Sequence, residues 1–213
     1  YTVTFQNRDN TFLSSWSVNH GSDATAPSSP TRTGYTFSGW NVPLTNITWD
    51  TTFTAQYNIN TYTVTYTAGA NGTISGSGTQ IVNYGANASA VTAVANTGYS
   101  FVNRSDGWTG ATRTDTNVTW AISVTANFAV NQYTLTFDTN GGSSIATITG
   151  DYNSLVTPPI NPTKTGYTFS GWNQPIPSTI PATNTTYIAQ WNINTYTVTF
   201  QNRDNTFLSS WSV

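Results

Sequence analysis

The sequence predicts a mainly β protein made of three small tandem modules and the opening hairpin of a fourth, and two kinds of repetition carry that expectation. Residues Tyr1–Val18, YTVTFQNRDNTFLSSWSV, return unchanged at Tyr196–Val213, which sets a long period of 195 residues, the spacing from Tyr1 to Tyr196. Within that unit a looser period brings back one pentad, as Tyr1-Thr2-Val3-Thr4-Phe5, Tyr62-Thr63-Val64-Thr65-Tyr66 and Tyr133-Thr134-Leu135-Thr136-Phe137. Apolar residues and Thr alternate in each pentad with period two, the pattern of a strand with one face on a core and the other in water. No amphipathic helical pattern runs anywhere in the chain.

Each pentad is followed by turn chemistry: Asn7-Arg8-Asp9-Asn10, then Asn71-Gly72, then Asn140-Gly141-Gly142. Asn and Gly tolerate the positive φ of tight turns, so hairpins are expected there. Second strands are expected at 12–18, 80–84 and 145–148. A Pro- or Ala-containing stretch then leads to Pro30-Thr31-Arg32-Thr33-Gly34-Tyr35-Thr36-Phe37-Ser38-Gly39-Trp40. Its counterpart is Pro162-Thr163-Lys164-Thr165-Gly166-Tyr167-Thr168-Phe169-Ser170-Gly171-Trp172, and the middle module has the looser Gly98-Tyr99-Ser100-Phe101 with Trp108 beyond it. Last strands are expected at 52–57, 123–128 and 186–191. The modules are therefore 1–58, 61–130 and 132–192, with 195–213 starting the next unit. Joints of three or four residues are too short to be slack, so neighbours should touch and the array should be a semi-rigid rod. The hairpin 196–213 lacks closing strands; if ordered, it is expected to borrow an edge from its own chain or from another copy.

Composition removes several functions. Charged residues are 7% of the chain, against about 25% in ordinary soluble proteins. All eight acids are Asp, Lys164 is the only lysine, and Cys and Met are absent. Nucleic-acid binding needs clustered Lys and Arg, and none is present. No apolar run reaches the roughly 18 to 20 residues of a membrane span, and no leader-like segment opens the chain, so a piece of a longer protein or a mature form is expected. Without cysteine, neither disulfides nor thiolate metal sites are available, and packed apolar and aromatic side chains must stabilise the fold.

The first and third modules resemble the B-repeat of internalin-type bacterial surface proteins, the Listeria–Bacteroides repeat. The shared features are the Thr-Val-Thr-Phe opening strand, the Asn-Gly-Gly turn, the Pro-Thr-Arg/Lys-Thr-Gly-Tyr-Thr-Phe-Ser-Gly-Trp segment and a closing aromatic strand. The middle module is similar to the divergent form of that repeat. The resemblance implies β-grasp-like modules, each a mixed sheet of about four strands with one short helical or irregular crossover, strung in tandem at the cell surface or outside the cell. The family pattern carries many acidic and lysine residues, and this chain almost none. That departure favours an assembled state.

Candidate chemistry is sparse. His20, the only histidine, is the only natural general base near neutral pH. Yet Val18-Asn19-His20-Gly21 aligns with Val82-Asn83-Tyr84-Gly85 and with Tyr152, so a ring recurs there and a structural role is expected. Asp9, Asp106 and Asp138 occupy turn contexts, where Asp caps its own backbone. Neither paired carboxylates nor a ligand-rich loop suggests catalysis or a metal, and no cofactor is expected. Lys164 takes the place of Arg32, and a single lysine cannot crosslink three modules. Asn-x-Ser/Thr sequons at Asn46, Asn71, Asn87, Asn103, Asn117 and Asn184 are no more frequent than so Asn-, Ser- and Thr-rich a chain produces by chance.

Aromatic residues divide into two groups. Tyr35, Phe37, Trp40, Tyr167, Phe169 and Trp172 repeat at matching positions and read as a core motif. Trp16, Trp49 and Trp120 lack a counterpart in every module and are the candidates for an exposed contact surface. The expected function is a non-enzymatic structural repeat of a long extracellular protein, a stalk, sheath or filament that associates with copies of itself. The alternative is an adhesin module that stacks glycans, or a host surface, on its Trp and Tyr residues.

Overall fold

The computed structural model describes all residues from Tyr1 to Val213 and contains strands and irregular connections but no helix. In chain order the strands are β1 (Thr2–Gln6), β2 (Phe12–Ser17), β3 (Tyr35–Trp40), β4 (Thr51–Ile59), β5 (Thr61–Ala68), β6 (Gly72–Ser75), β7 (Thr79–Asn83), β8 (Val91–Ala95) and β9 (Tyr99–Arg104). They continue with β10 (Thr112–Arg113), β11 (Ile122–Val130), β12 (Gln132–Asp138), β13 (Ile148–Asp151), β14 (Tyr167–Trp172), β15 (Thr185–Ile193), β16 (Thr197–Gln201) and β17 (Phe207–Ser212).

One sheet plan is used three times: β2-β1-β4-β3, then β7-β5-β11-β9, then β13-β12-β15-β14. The central pair is parallel in each, β1 with β4, β5 with β11 and β12 with β15. The second and first strands of each sheet pair antiparallel. A parallel pair needs a crossover, and here irregular chain supplies it rather than a helix. The second sheet also carries a small partner, the three-stranded β10-β8-β6. Its β6 follows the Asn71-Gly72 turn, which therefore leads into an inserted strand before β7.

The period-two alternation of the pentads sets which side chains are buried. Val3 and Phe5 face inward from β1, Val64 and Tyr66 from β5, and Leu135 and Phe137 from β12, with the intervening Thr residues outside the core clusters. Parallel register places Phe5 beside Phe53, their rings stacked at 4.7 Å. Most strands lie close to the sequence expectation. The third module's second strand is the exception, Ile148–Asp151 instead of 145–148, because its pairing partners, Gln132–Leu135, lie opposite that segment.

The Phe-Ser-Gly-Trp segment gains its meaning from a bulge. Residues three apart on a regular strand point to opposite faces. A register shift between Phe37 and Gly39, with Gly39 at φ 131°, allows the Phe37 and Trp40 rings to meet edge to face at 5.3 Å. Gly171 at φ 126° does the same for Phe169 and Trp172, at 5.4 Å.

The chain forms two compact units, Tyr1–Val94 with Phe101–Asn127, and Ala95–Ser100 with Phe128–Val213. Strands β16 and β17 form a separate two-stranded sheet that pairs with no other strand of the chain. This corrects the expectation of edge borrowing within the chain. None of the edge strands of the four-stranded sheets, β2 and β3, β7 and β9, or β13 and β14, takes β16 or β17 as a neighbour.

Candidate functional site

The feature built most consistently from one module to the next is the joint between them. Between β4 and β5 lies one residue, Asn60, which makes three hydrogen bonds. Its N–H donates to the Gly34 carbonyl at 2.9 Å, its carbonyl accepts the Tyr84 N–H at 2.8 Å, and its side-chain oxygen accepts the Thr36 hydroxyl at 2.7 Å. Asn131, between β11 and β12, repeats the set with Gly98 at 2.9 Å, Tyr152 at 2.8 Å and Ser100 at 2.7 Å.

A ring then closes each joint. Gly34 has φ 77°, and a β-carbon added to it would fall 2.1 Å from Tyr84 Cδ1. Gly98 has φ 81°, and its β-carbon would fall 2.2 Å from Tyr152 Cγ. Only glycine satisfies both the left-handed backbone and the ring lying against the α-carbon. This contact also explains why the Ala95–Ser100 segment groups with the third sheet, since Gly98 and Tyr152 touch. A third set is half assembled. Asn194 donates to the Gly166 carbonyl at 2.9 Å and accepts the Thr168 hydroxyl at 2.6 Å, while Gly166, at φ 79°, has nothing within 4 Å of its β-carbon position.

His20 occupies the third ring position. It is exposed, with its ring 5.8 Å from that of Tyr1. The aspartates expected in turns cap backbone: Asp9 accepts the Thr11 N–H, Asp106 that of Trp108, and Asp138 that of Asn140. No group of three or more His, Cys, Asp or Glu side chains converges as a metal site. Lys164 donates to the Asn140 carbonyl at 2.9 Å and lies 4.6 Å from the centre of the Tyr167 ring. Arg32 covers Tyr35 in the same way at 4.0 Å.

The aromatic candidates separate by depth. Trp40 and Trp172 pack on the cores through Phe5 and Phe137, whereas Phe37 and Phe169 form the next layer over those Trp rings. Tyr35 and Tyr167 lie outside the core clusters, under their cations. Trp16 belongs with the core rather than a contact surface. It pairs opposite Val3, hence points the same way, and stacks on Phe5 at 5.0 Å. Trp49 and Trp120 are 66% and 65% exposed and sit two residues before β4 and β11. Trp49 borders a groove of about 410 Å³ lined by Val42, Pro43, Ile47 and Thr51.

The middle module holds a charge cluster that the sequence pattern did not signal. Arg113 grips Asp115 with two bonds of 2.7 and 2.8 Å and also pairs with Asp106. Those bonds hold the Asp115 carboxyl below its ordinary value and raise the Arg113 guanidinium. Tyr66 donates to Asp115 at 2.7 Å, and burial together with this bond pushes its hydroxyl up to about 12. Arg104 is buried beside them, donating to the Ala111 carbonyl at 2.9 Å. The joint could have been found from sequence by the recurrence of Asn two residues before Tyr62, Tyr133 and Tyr196. Nothing comparable marks the charge cluster.

The Listeria-Bacteroides repeat domain profile matches residues 1–61 and 133–194, and the divergent InlB B-repeat domain profile matches 62–132. The chain is 27% identical over 228 residues to a protein of Evansella cellulosilytica that carries a membrane-protein name, a match covering 96% of this chain and 33% of that protein. It is 41% identical over 85 residues to internalin H of Listeria monocytogenes serovar 1/2a, covering 38% of this chain and 15% of internalin H. The chain thus spans a third or less of the length of these relatives.

Proposed function

This chain belongs to the Listeria-Bacteroides repeat domain family, with a middle module of the divergent B-repeat kind, and from that membership we propose that it is a non-enzymatic structural array of a long cell-surface protein. The observation that carries this reading is the joint. Two joints in one chain use the same three hydrogen bonds and the same ring-on-glycine contact, with a single connecting residue. Such joints restrict bending between β-grasp-like modules and suit a semi-rigid stalk or filament.

The scarcity of charge adds a second property. Sheet edges in monomeric proteins are commonly protected by Lys, and this chain has one. Copies can therefore approach side by side with little like-charge repulsion. Electron microscopy of the native, full-length protein tests the proposal. Ordered fibres or laterally packed rods with an axial repeat on the order of 100 Å per 195-residue unit are expected, from three domains some 30 to 40 Å long. Flexible strings without an axial period would overturn it.

A second reading is favoured by Trp49 alone, which stands exposed beside a groove with apolar walls. In that reading the module stacks a sugar ring on the indole, with Trp120 as a similar platform. Titration against a broad glycan panel, repeated with Trp49→Ala and Trp120→Ala, decides it. Flat titrations for the unmodified chain would remove this reading and leave the array untouched.

A further inference from the structure

We infer that His20 is the ring that closes the joint between successive 195-residue units, docking on Gly166 and Asn194 of the unit before it. The partner is thus another copy of this sequence, joined in tandem, and the inference rests on the tandem-array reading.

The turn that presents His20 is built like the two turns whose rings already dock. Gly21 follows His20 at φ 78° and donates to the Ile47 carbonyl at 2.8 Å. Gly85 follows Tyr84 at φ 77° and donates to Val118, also at 2.8 Å, and Asn153 follows Tyr152 at φ 65° and donates to Ile180 at 2.9 Å. A further bond closes each turn, from Ser22 to Asn19, Ala86 to Asn83 and Ser154 to Asp151. The His20 turn is therefore preformed for docking. Tyr84 and Tyr152 are half-buried because a glycine lies against them, whereas His20 is exposed.

The receiving half is equally complete. Gly166 has the same left-handed backbone as Gly34 and Gly98, and Asn194 is already bonded to it and to Thr168. What Gly166 lacks is a ring, and what Asn194 lacks is an amide for its carbonyl. In the repeat, the residue one period after His20 follows the hairpin 196–213 at the spacing by which Tyr84 follows Tyr62 and Tyr152 follows Tyr133, within a few residues. Placed there, the imidazole face covers Gly166 and the His20 N–H reaches the Asn194 carbonyl. A planar ring suffices for the contact, so histidine can replace tyrosine. One joint in three then carries an imidazole where the others carry a phenol.

The test uses a chain of two units, residues 1–195 followed directly by 1–213, beside the 213-residue chain. Amide hydrogen exchange is read at both copies of His20. The His20 amide of the second unit is expected to exchange ~10-fold or more slowly than that of the first, which has no preceding unit. His20→Tyr in the second unit should keep this protection. Gly166→Ala should abolish it, because the added β-carbon displaces the ring. The same substitution in the 213-residue chain measures the cost of the left-handed backbone alone, so misfolding of the variant is recognised. Equal exchange of the two His20 amides overturns the inference, and so does protection that survives Gly166→Ala. Either result leaves the axial period seen by microscopy as a separate question, so failure of the joint and failure of the array are distinguishable.

Discussion

Phe5 and Phe200 occupy the same place in two hairpins of identical sequence and identical pairing register, yet Phe5 is 0% exposed and Phe200 44% exposed. The difference lies in what covers them. Phe5 touches the rings of Phe53 and Trp40, contributed by β4 and β3, while the ring partner of Phe200 is Trp211 of its own hairpin. Phe5→Ala is expected to cost about 3 to 5 kcal/mol through lost burial and a residual cavity. Phe200→Ala should stay within about 0.5 kcal/mol. Urea unfolding of the two variants makes the comparison, and equal losses would show that the terminal hairpin is packed in solution.

The joint predicts coupling between Gly34 and Tyr84. Gly34→Ala forces a left-handed alanine, at about 1 to 3 kcal/mol, and also pushes the Tyr84 ring away. Tyr84→Ala alone loses the ring contact. The double variant should be less destabilised than the two single changes combined, with an interaction of about 0.5 to 3 kcal/mol. Additive losses in denaturant titrations would mean that the ring is not held on the glycine.

Acid should weaken the middle module through Asp115. Its folded-state value lies below the ordinary 3.8, chiefly because Arg113 bonds the carboxylate. A depressed carboxylate contributes stability that is present above its unfolded value and is lost as pH falls through the folded one. Asp115→Asn should therefore be less stable than the unmodified chain at pH 7, with the gap closing as pH falls below the ordinary carboxylate value of 3.8. A gap independent of pH in thermal melts would assign the loss to packing instead.

At the alkaline end Tyr66 takes over. Its hydroxyl is raised from 10 to about 12 by burial and by Asp115, so its contribution is complete below pH 10 and is lost as pH rises toward 12. Tyr66→Phe should remove that part of the pH dependence, at the cost of one hydrogen bond to a charged acceptor, about 1.5 to 3 kcal/mol. An unchanged stability slope between pH 10 and 12 would exclude Tyr66 as the titrating group.

Much of this architecture could be read in the chain. Alternation in Thr2–Phe5, Thr63–Tyr66 and Thr134–Phe137 named the inward residues, because on a strand the neighbour two positions away shares a face. Asn-Gly and Asn-Gly-Gly marked turns, where Asn71, Asn140 and Gly141 take positive φ. The duplicate of Tyr1–Val18 revealed the long period, and the Pro-Thr-Arg-Thr-Gly-Tyr segment pointed to the family. Each of these signals is local or is a repetition.

The tertiary structure alone decided which residues far apart in sequence meet. The ring of Tyr84 finds Gly34, and that of Tyr152 finds Gly98, only because the turns that carry them and one Asn bring them together across a joint. Trp16 becomes a core residue only when pairing sets it opposite Val3. Arg104, Arg113, Asp106 and Asp115 gather around Tyr66 with no shared spacing to announce them. Strand periodicity fixes the face a side chain takes, whereas contact between faces depends on three-dimensional closure, which has no period in the sequence.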